Sequence, residues 1–194
     1  MLSIVYSAGL AGIDGFLVSV ECNSQEKIPQ FEIIGLPDAA VREAKDRIIS
    51  AMENSGMDFP DMALTINLAP ADRKKEGSSY DLAMLIAIMR SAGMLSETER
   101  LHKSCFIGEL SLSGEVRAVK GVLCMVLAAK AAGMTEVFVP AANAGEASVV
   151  EGVSIYGVEN VRALIRHLNG KAPLAPMRFD RALFESPPRA ESCK

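Results

Sequence analysis

NLAPADRKKEGSSYDLAMLIAIM, residues 67–89, is the stretch on which the reading of this chain turns. It opens as the end of an apolar strand (ALTINLA, 63–69), crosses a polar loop from Pro70 to Gly77, and enters a helix at Ser78 and Ser79. Leu82, Leu85, Ile86 and Met89 recur at helical spacing, and Gly93 stops the run. Ser78 with Asp81 fits the S-x-x-D form of a capping box, so Ser78 is the expected cap. A strand feeding a helix through a short loop is a building unit of α/β folds.

Upstream, LSIVYSA (2–8) and FLVSVEC (16–22) read as two strands joined by a turn at Gly12, Asp14 and Gly15, and FEII (31–34) as a third. Asp38 is a candidate cap for a helix running to Ser55, with Val41, Ala44, Ile48, Ala51 and Met52 on one face and Glu43–Arg47 as an i,i+4 pair. Downstream, CFIGELSL (105–112) is a strand with a turn at Ser113–Gly114 and a short return. Helices at 121–132, 140–148 and 159–168 then alternate with strands at 136–139 and 153–156. The pattern predicts an α/β fold with a mixed sheet and βαβ crossovers in the second half. The expected domain covers 1–170. Residues 171–194, with Pro173, Pro176, Pro187 and Pro188 among charges, read as a linker or tail.

The 194 residues suffice to bury roughly 70% of the unfolded surface without disulfide staples. Aromatic residues are 5% and Trp is absent, so the core is built from Ala, Val, Ile, Leu and Met. A net charge of −4 argues against a dominant basic surface. Cys22, Cys105, Cys124 and Cys193 form no C-x-x-C pair, and His102 and His167 lie far apart, which argues against a metal site. The start lacks a secretory signal and no apolar run has membrane-spanning length, so a cytoplasmic, non-membrane protein is expected.

Three features carry possible chemistry. Ser79, at a helix start, has the position of a nucleophile but needs a base. Arg73, Lys74 and Lys75 form a candidate contact for an anion or nucleic acid, with Asp72 and Glu76 offsetting part of their charge. No G-x-x-x-x-G-K-[ST] phosphate loop occurs, so no ATP or Mg2+ site of that kind is expected in this chain.

The segments IIGLPDAAVREAKDRIISAMENSG, INLAPADRKKEGSSYDLAMLIAI and FIGELSLSGEVRAVKGVLCMVLAAKAAG resemble the N-terminal domain of the ComM/YifB family, bacterial magnesium-chelatase-like AAA+ proteins. The likeness extends from Met1 to about Leu168. Two of the segments are also similar to the proteolytic domain of Lon, in which a serine at a helix start works with a lysine. Lys75 to Ser79 match the serine motif, so Ser79 takes the nucleophile's place. Gly108 to Leu112 match the strand before the lysine motif, and Leu123 stands where the lysine belongs. Lys120, the nearest lysine, lies three residues earlier. Leucine accepts no proton, so the dyad is broken on this alignment.

The resemblance implies a Lon-protease-like fold and no catalysis by this segment. It implies an AAA+ domain beyond it that binds ATP and Mg2+, and neighbouring subunits in a hexamer. It also implies DNA as a partner, through branch migration in natural transformation. The alternative is a residual peptidase using Ser79.

Overall fold

The computed structural model describes residues 1–96 and 98–179. A seven-stranded mixed sheet forms its centre. The strands are β1 (Leu2–Ala11), β2 (Asp14–Gln25), β3 (Gln30–Ile34), β4 (Ala63–Ala69), β5 (Ser104–Phe106), β8 (Glu136–Pro140) and β9 (Ser154–Val158), in the order β3-β4-β2-β1-β5-β8-β9. The first half is a hairpin: β1 and β2 pair antiparallel from Leu2–Asn23 to Ala11–Asp14, and β4 adds antiparallel to β2. The second half, from β1 through β5 and β8 to β9, is parallel. Parallel neighbours need crossovers, and the helices in the sequence supply them. A two-stranded ribbon, β6 (Glu109–Leu110) with β7 (Val116–Arg117), stands outside the sheet. The α/β class and the mixed sheet are as the pattern predicts.

Helices α1 (Ala39–Arg42), α2 (Ala44–Asn54), α3 (Asp81–Ser91), α4 (Val122–Ala131), α5 (Ala144–Ala147) and α6 (Val161–Leu168) complete the fold. No helix among the described residues is long and apolar enough to cross a membrane. The alternation of the strands sorts the core into two layers. Val5, Val18, Val20, Ile66 and Leu68 face a cluster shared with α2, α3 and α6, while Ala8, Cys105, Val137 and Val139 face one shared with α4 and α5. Every residue of α3 is buried. A helix apolar on nearly all sides belongs in the interior, and its two ends are where its polar residues collect.

At the C-terminal end of α3, Arg90 donates to the Ile4 carbonyl at 2.5 Å, placing a cation against the negative end of the helix dipole. Ser3, on the inward face of β1, donates to Ala87 O of α3 at 2.6 Å. At the other end Tyr80 lies over Gly9, where a Cβ would fall 2.1 Å from the tyrosine oxygen. Glycine is needed at position 9 because α3 approaches the sheet that closely.

Three details depart from the sequence reading. The helix expected from Asp38 to Ser55 breaks at Glu43 into α1 and α2. The strand expected over 105–112 ends at Phe106: Ile107 N–H still donates to Phe138 O of β8, but Gly108 turns its backbone bonds to Ser79 and Leu82 at the start of α3. A 3-10 turn at Glu99–Lys103 was not foreseen. Within the segment read as a linker or tail, Leu174 N–H donates to His167 Nδ1 at 2.8 Å and Met177 N–H to Ile155 O at 2.7 Å. Residues 180–194, including Pro187, Pro188 and Cys193, lie outside the described residues.

Phe106, Phe138 and Tyr156 stack across β5, β8 and β9, with centroids 4.8 and 4.9 Å apart, and His167 of α6 closes the ladder, 4% exposed. Its Nε2 lies 2.9 Å from Arg100 Nη2, and Nδ1 receives the Leu174 N–H. Both neighbours are donors, so an imidazolium would oppose N–H to N–H on both sides. Burial pulls His167 below its ordinary value and Arg100 pulls the same way, with Glu136 opposing. A depressed folded value means stability is complete above the unfolded value of about 6.5 and is lost as pH falls through the folded one. Urea unfolding should therefore show lower stability at pH 5 than at pH 7.5, and His167→Phe should flatten that difference.

Candidate binding cleft

The loop that precedes α3 is held by a turn in another part of the chain. Gly35 has φ +98, and a Cβ there would lie 2.1 Å from the Leu68 carbonyl oxygen. Leu36 follows at φ +56, a left-handed conformation that costs a leucine roughly 1–2 kcal/mol. This turn aims the backbone at the loop: Asp38 N–H donates to Lys75 O and Lys75 N–H to Leu36 O, each at 3.0 Å. The Asp38 carboxylate accepts from Val41 N–H at 2.8 Å, capping α1, and from Gly77 N–H at 3.0 Å. One side chain therefore ends a loop, starts a helix and fixes the glycine before the two serines.

The three basic residues of the loop have three different fates. Arg73 is exposed and lies over the Phe16 ring, 5.0 Å from its centroid. Lys74 is exposed and pairs with Glu76 at 2.9 Å. Lys75 is fully buried. Its ammonium donates to the Pro70 carbonyl and, at 2.7 Å, to the Arg73 carbonyl, and burial pulls its pKa down, with Asp72 opposing. The sequence reading grouped all three as an anion contact. Lys75 does not belong there, because its donors are spent closing the loop from inside.

Neither serine caps α3, which corrects the expectation for Ser78. The cap position is Tyr80, with no side-chain cap bond. The helix start is satisfied by backbone: Leu82 N–H donates to Gly108 O at 3.2 Å, and Gly108 N–H donates to Ser79 O at 2.9 Å. Ser78 instead donates its hydroxyl to the Glu109 carboxylate, which also lies 3.7 Å from Arg117. Asp81, expected to reach back as part of a capping box, points inward. Its carboxylate, fully buried, accepts from Arg47 Nε at 2.6 Å, Arg47 Nη2 at 3.0 Å and Leu110 N–H at 3.1 Å. Donating to the Asp81 carboxylate raises the Arg47 pKa. Arg47 also donates to Ala40 O at 2.8 Å, while its i,i+4 contact with Glu43 is only 3.9 Å. The sequence reading paired Arg47 with Glu43 at i,i+4. The local signal was masked because its real partner lies 34 positions away.

These anchors leave an open cleft of about 320 Å³, lined among others by Gly77, Ser78, Ser79, Glu109, Lys120 and Met125. Ser79 is 5% exposed, and its hydroxyl makes no hydrogen bond among the described residues. Lys120 reaches the same cleft, in spite of its offset in sequence. Leu123 does not: it lies 36% exposed on α4. The buried phenol of Tyr80, the residue after Ser79, is pushed up to about 12 by burial and by the Asp38 charge. No group of three or more His, Cys, Asp or Glu among the described residues is placed to hold a metal.

A family profile described as subunit ChlI of Mg-chelatase matches residues 20–143. An uncharacterized protein of Mycobacterium tuberculosis is 42% identical over 174 residues, 90% of this chain and 34% of that protein. Competence protein ComM of Haemophilus influenzae is 38% identical over 176 residues, again 90% and 34% of the two chains. YifB of Escherichia coli is 34% identical over 173 residues, 89% and 34%. The chain spans about a third of the length of these relatives.

Two measurements check the anchors. Arg47→Ala leaves the Asp81 carboxylate buried without a counter-charge, held by the Leu110 N–H only, and should cost about 3–5 kcal/mol in urea unfolding. Ser78→Ala loses a hydrogen bond to a carboxylate and should cost about 1 kcal/mol, whereas Ser79→Ala, which loses none, should melt with the parent.

Proposed function

This chain belongs to the family described as subunit ChlI of Mg-chelatase, as a ComM/YifB-type domain, and from that premise we propose that it is a non-catalytic accessory domain of an AAA+ ATPase. In this reading the motor, with its ATP and Mg2+, lies in the part of the relatives that the chain does not span. The domain serves assembly of a hexameric ring in the cytoplasm, or DNA contact by it. The relative named as a competence protein supports a role in DNA uptake, with branch migration as the activity of the whole assembly.

The observation that supports the non-catalytic part is the position of Leu123. It occupies the place of the expected base and lies exposed on α4, away from Ser79. The Ser79 hydroxyl has no hydrogen-bonded base among the described residues, and an unactivated hydroxyl is a weak nucleophile. A second reading, residual Ser–Lys peptidase chemistry, draws on one fact: Lys120 lines the cleft that holds Ser79. For DNA contact, Arg73 and Lys74 remain as exposed cations once Lys75 is removed from the group.

The test uses the full-length protein with ATP and DNA. The non-catalytic reading expects no labelling of Ser79 by a serine-reactive probe; labelling abolished by Lys120→Met would establish the peptidase reading instead. Replacing Arg73 and Lys74 together by Ala should weaken DNA binding and lower the slope of log K against log salt by about 2. An unchanged slope would remove this loop from the DNA interface.

A further inference from the structure

The cleft at the start of α3 holds an imbalance that neither reading above uses. Ser79 is a largely buried residue whose hydroxyl opens onto the cleft, is not itself a buried orphaned atom, and makes no hydrogen bond among the described residues, so it is free to donate to a ligand there. The charges around it are unevenly matched. Glu76 has Lys74 at 2.9 Å, and Glu109 has the Ser78 hydroxyl and Arg117 at 3.7 Å. Lys120 has no ion pair among the described residues. The lining therefore contains two carboxylates already compensated and one cation that is not. The positive end of the eleven-residue helix α3 lies at the same place. Leu10 and Met125 give the cleft an apolar side.

We infer that this cleft binds a carboxylate carried on a short apolar chain, as at the C-terminus of a peptide, with Lys120 pairing with the head group and Ser79 donating to it. The Ser79 proton gains an acceptor and the Lys120 ammonium a counter-charge, both of which the unliganded cleft lacks. Selectivity comes from the apolar side, where Leu10 and Met125 cover a short chain on the acid that inorganic phosphate lacks. A volume of about 320 Å³ is at the small end for ligand sites and suits a head group with one or two side chains. The inference goes beyond the accessory reading and does not depend on a motor, on DNA or on any bond being broken.

The experiment is a titration of the 194-residue chain, followed by amide chemical shifts, with four probes: acetyl-Ala-Leu as the free acid, its C-terminal amide, isovalerate and inorganic phosphate. The acid should shift amides at 77–80 and 120–125, with the amide form weaker by about tenfold, the value of one charge-assisted contact. Lys120→Gln should weaken the acid by about as much, and Ser79→Ala by about three- to fivefold, with melting unchanged in both. Isovalerate as tight as the peptide acid assigns the site to small free acids, and isovalerate much weaker assigns it to a peptide terminus; either result keeps the carboxylate site. The proposal is overturned if the amide binds as well as the acid, if Lys120→Gln leaves the affinity of the acid unchanged, if phosphate displaces the acid, or if no cleft amide moves.

Discussion

The carboxylate of Asp81 is the point on which this structure hangs. It is fully buried at the start of a helix that is itself buried throughout, and three donors converge on it: two from Arg47 on α2 and the N–H of Leu110 on β6. A charge in that position is tolerated only with a complete set of partners, because the interior returns little of the hydration it removes. The set is complete only when α2, α3 and β6 meet in one arrangement. The walls of the cleft are the loop leading into α3 and the chain around β6, so the ion pair that positions the helices also positions the cleft. Burial pushes the Asp81 carboxyl up, and Arg47 with the Leu110 N–H pulls it back, the two partners and the environment acting as one unit.

The sheet was legible because strand alternation survives burial on two sides. Residues 2–8 and 16–22 were readable as strands from β-branched residues at alternate positions, and the hairpin that pairs them runs through the turn marked by Gly12, Asp14 and Gly15. The Asp38 cap was legible for the same local reason: the residue and the N–H it accepts from are three positions apart. The site was less so. Ser-x-x-Asp is a local pattern, and here its two members serve distant partners, Ser78 on Glu109 and Asp81 on Arg47. Local pattern fixes what a residue is able to do, and tertiary structure decides which of its options is used. The start of α3 needs no side-chain cap, because the chain leaving β5 brings the Gly108 carbonyl to the Leu82 N–H.

The basic run 73–75 makes the same point for charge. Three adjacent cations read as one patch, yet one stacks on Phe16, one pairs with Glu76, and one turns inward onto two carbonyls. Lys75 works as a loop closer because its ammonium offers several donors where the loop offers carbonyls. A net charge of −4 and a local triplet of positive residues are both true of the chain, and neither describes the surface.

The Asp81 pair also bears on what shapes the cleft around Ser79. Everything that shapes it is structural in origin: the Asp38–Gly77 bond, the bridge from Leu36 to Lys75, the backbone exchange between Ser79 and Gly108, and the Arg47–Asp81 pair. None of these bonds involves the Ser79 hydroxyl or a general base. Leucine at position 123 costs the scaffold nothing, because α4 holds that residue at its exposed surface and the core beneath is formed by Val122, Met125, Val126 and Ala129. Catalysis needs a few groups held within hydrogen-bond reach of one another, whereas the cleft needs only the backbone that surrounds it. The second does not depend on the first, and a concave, partly apolar site lined by the Ser79 hydroxyl and Lys120 is open to binding.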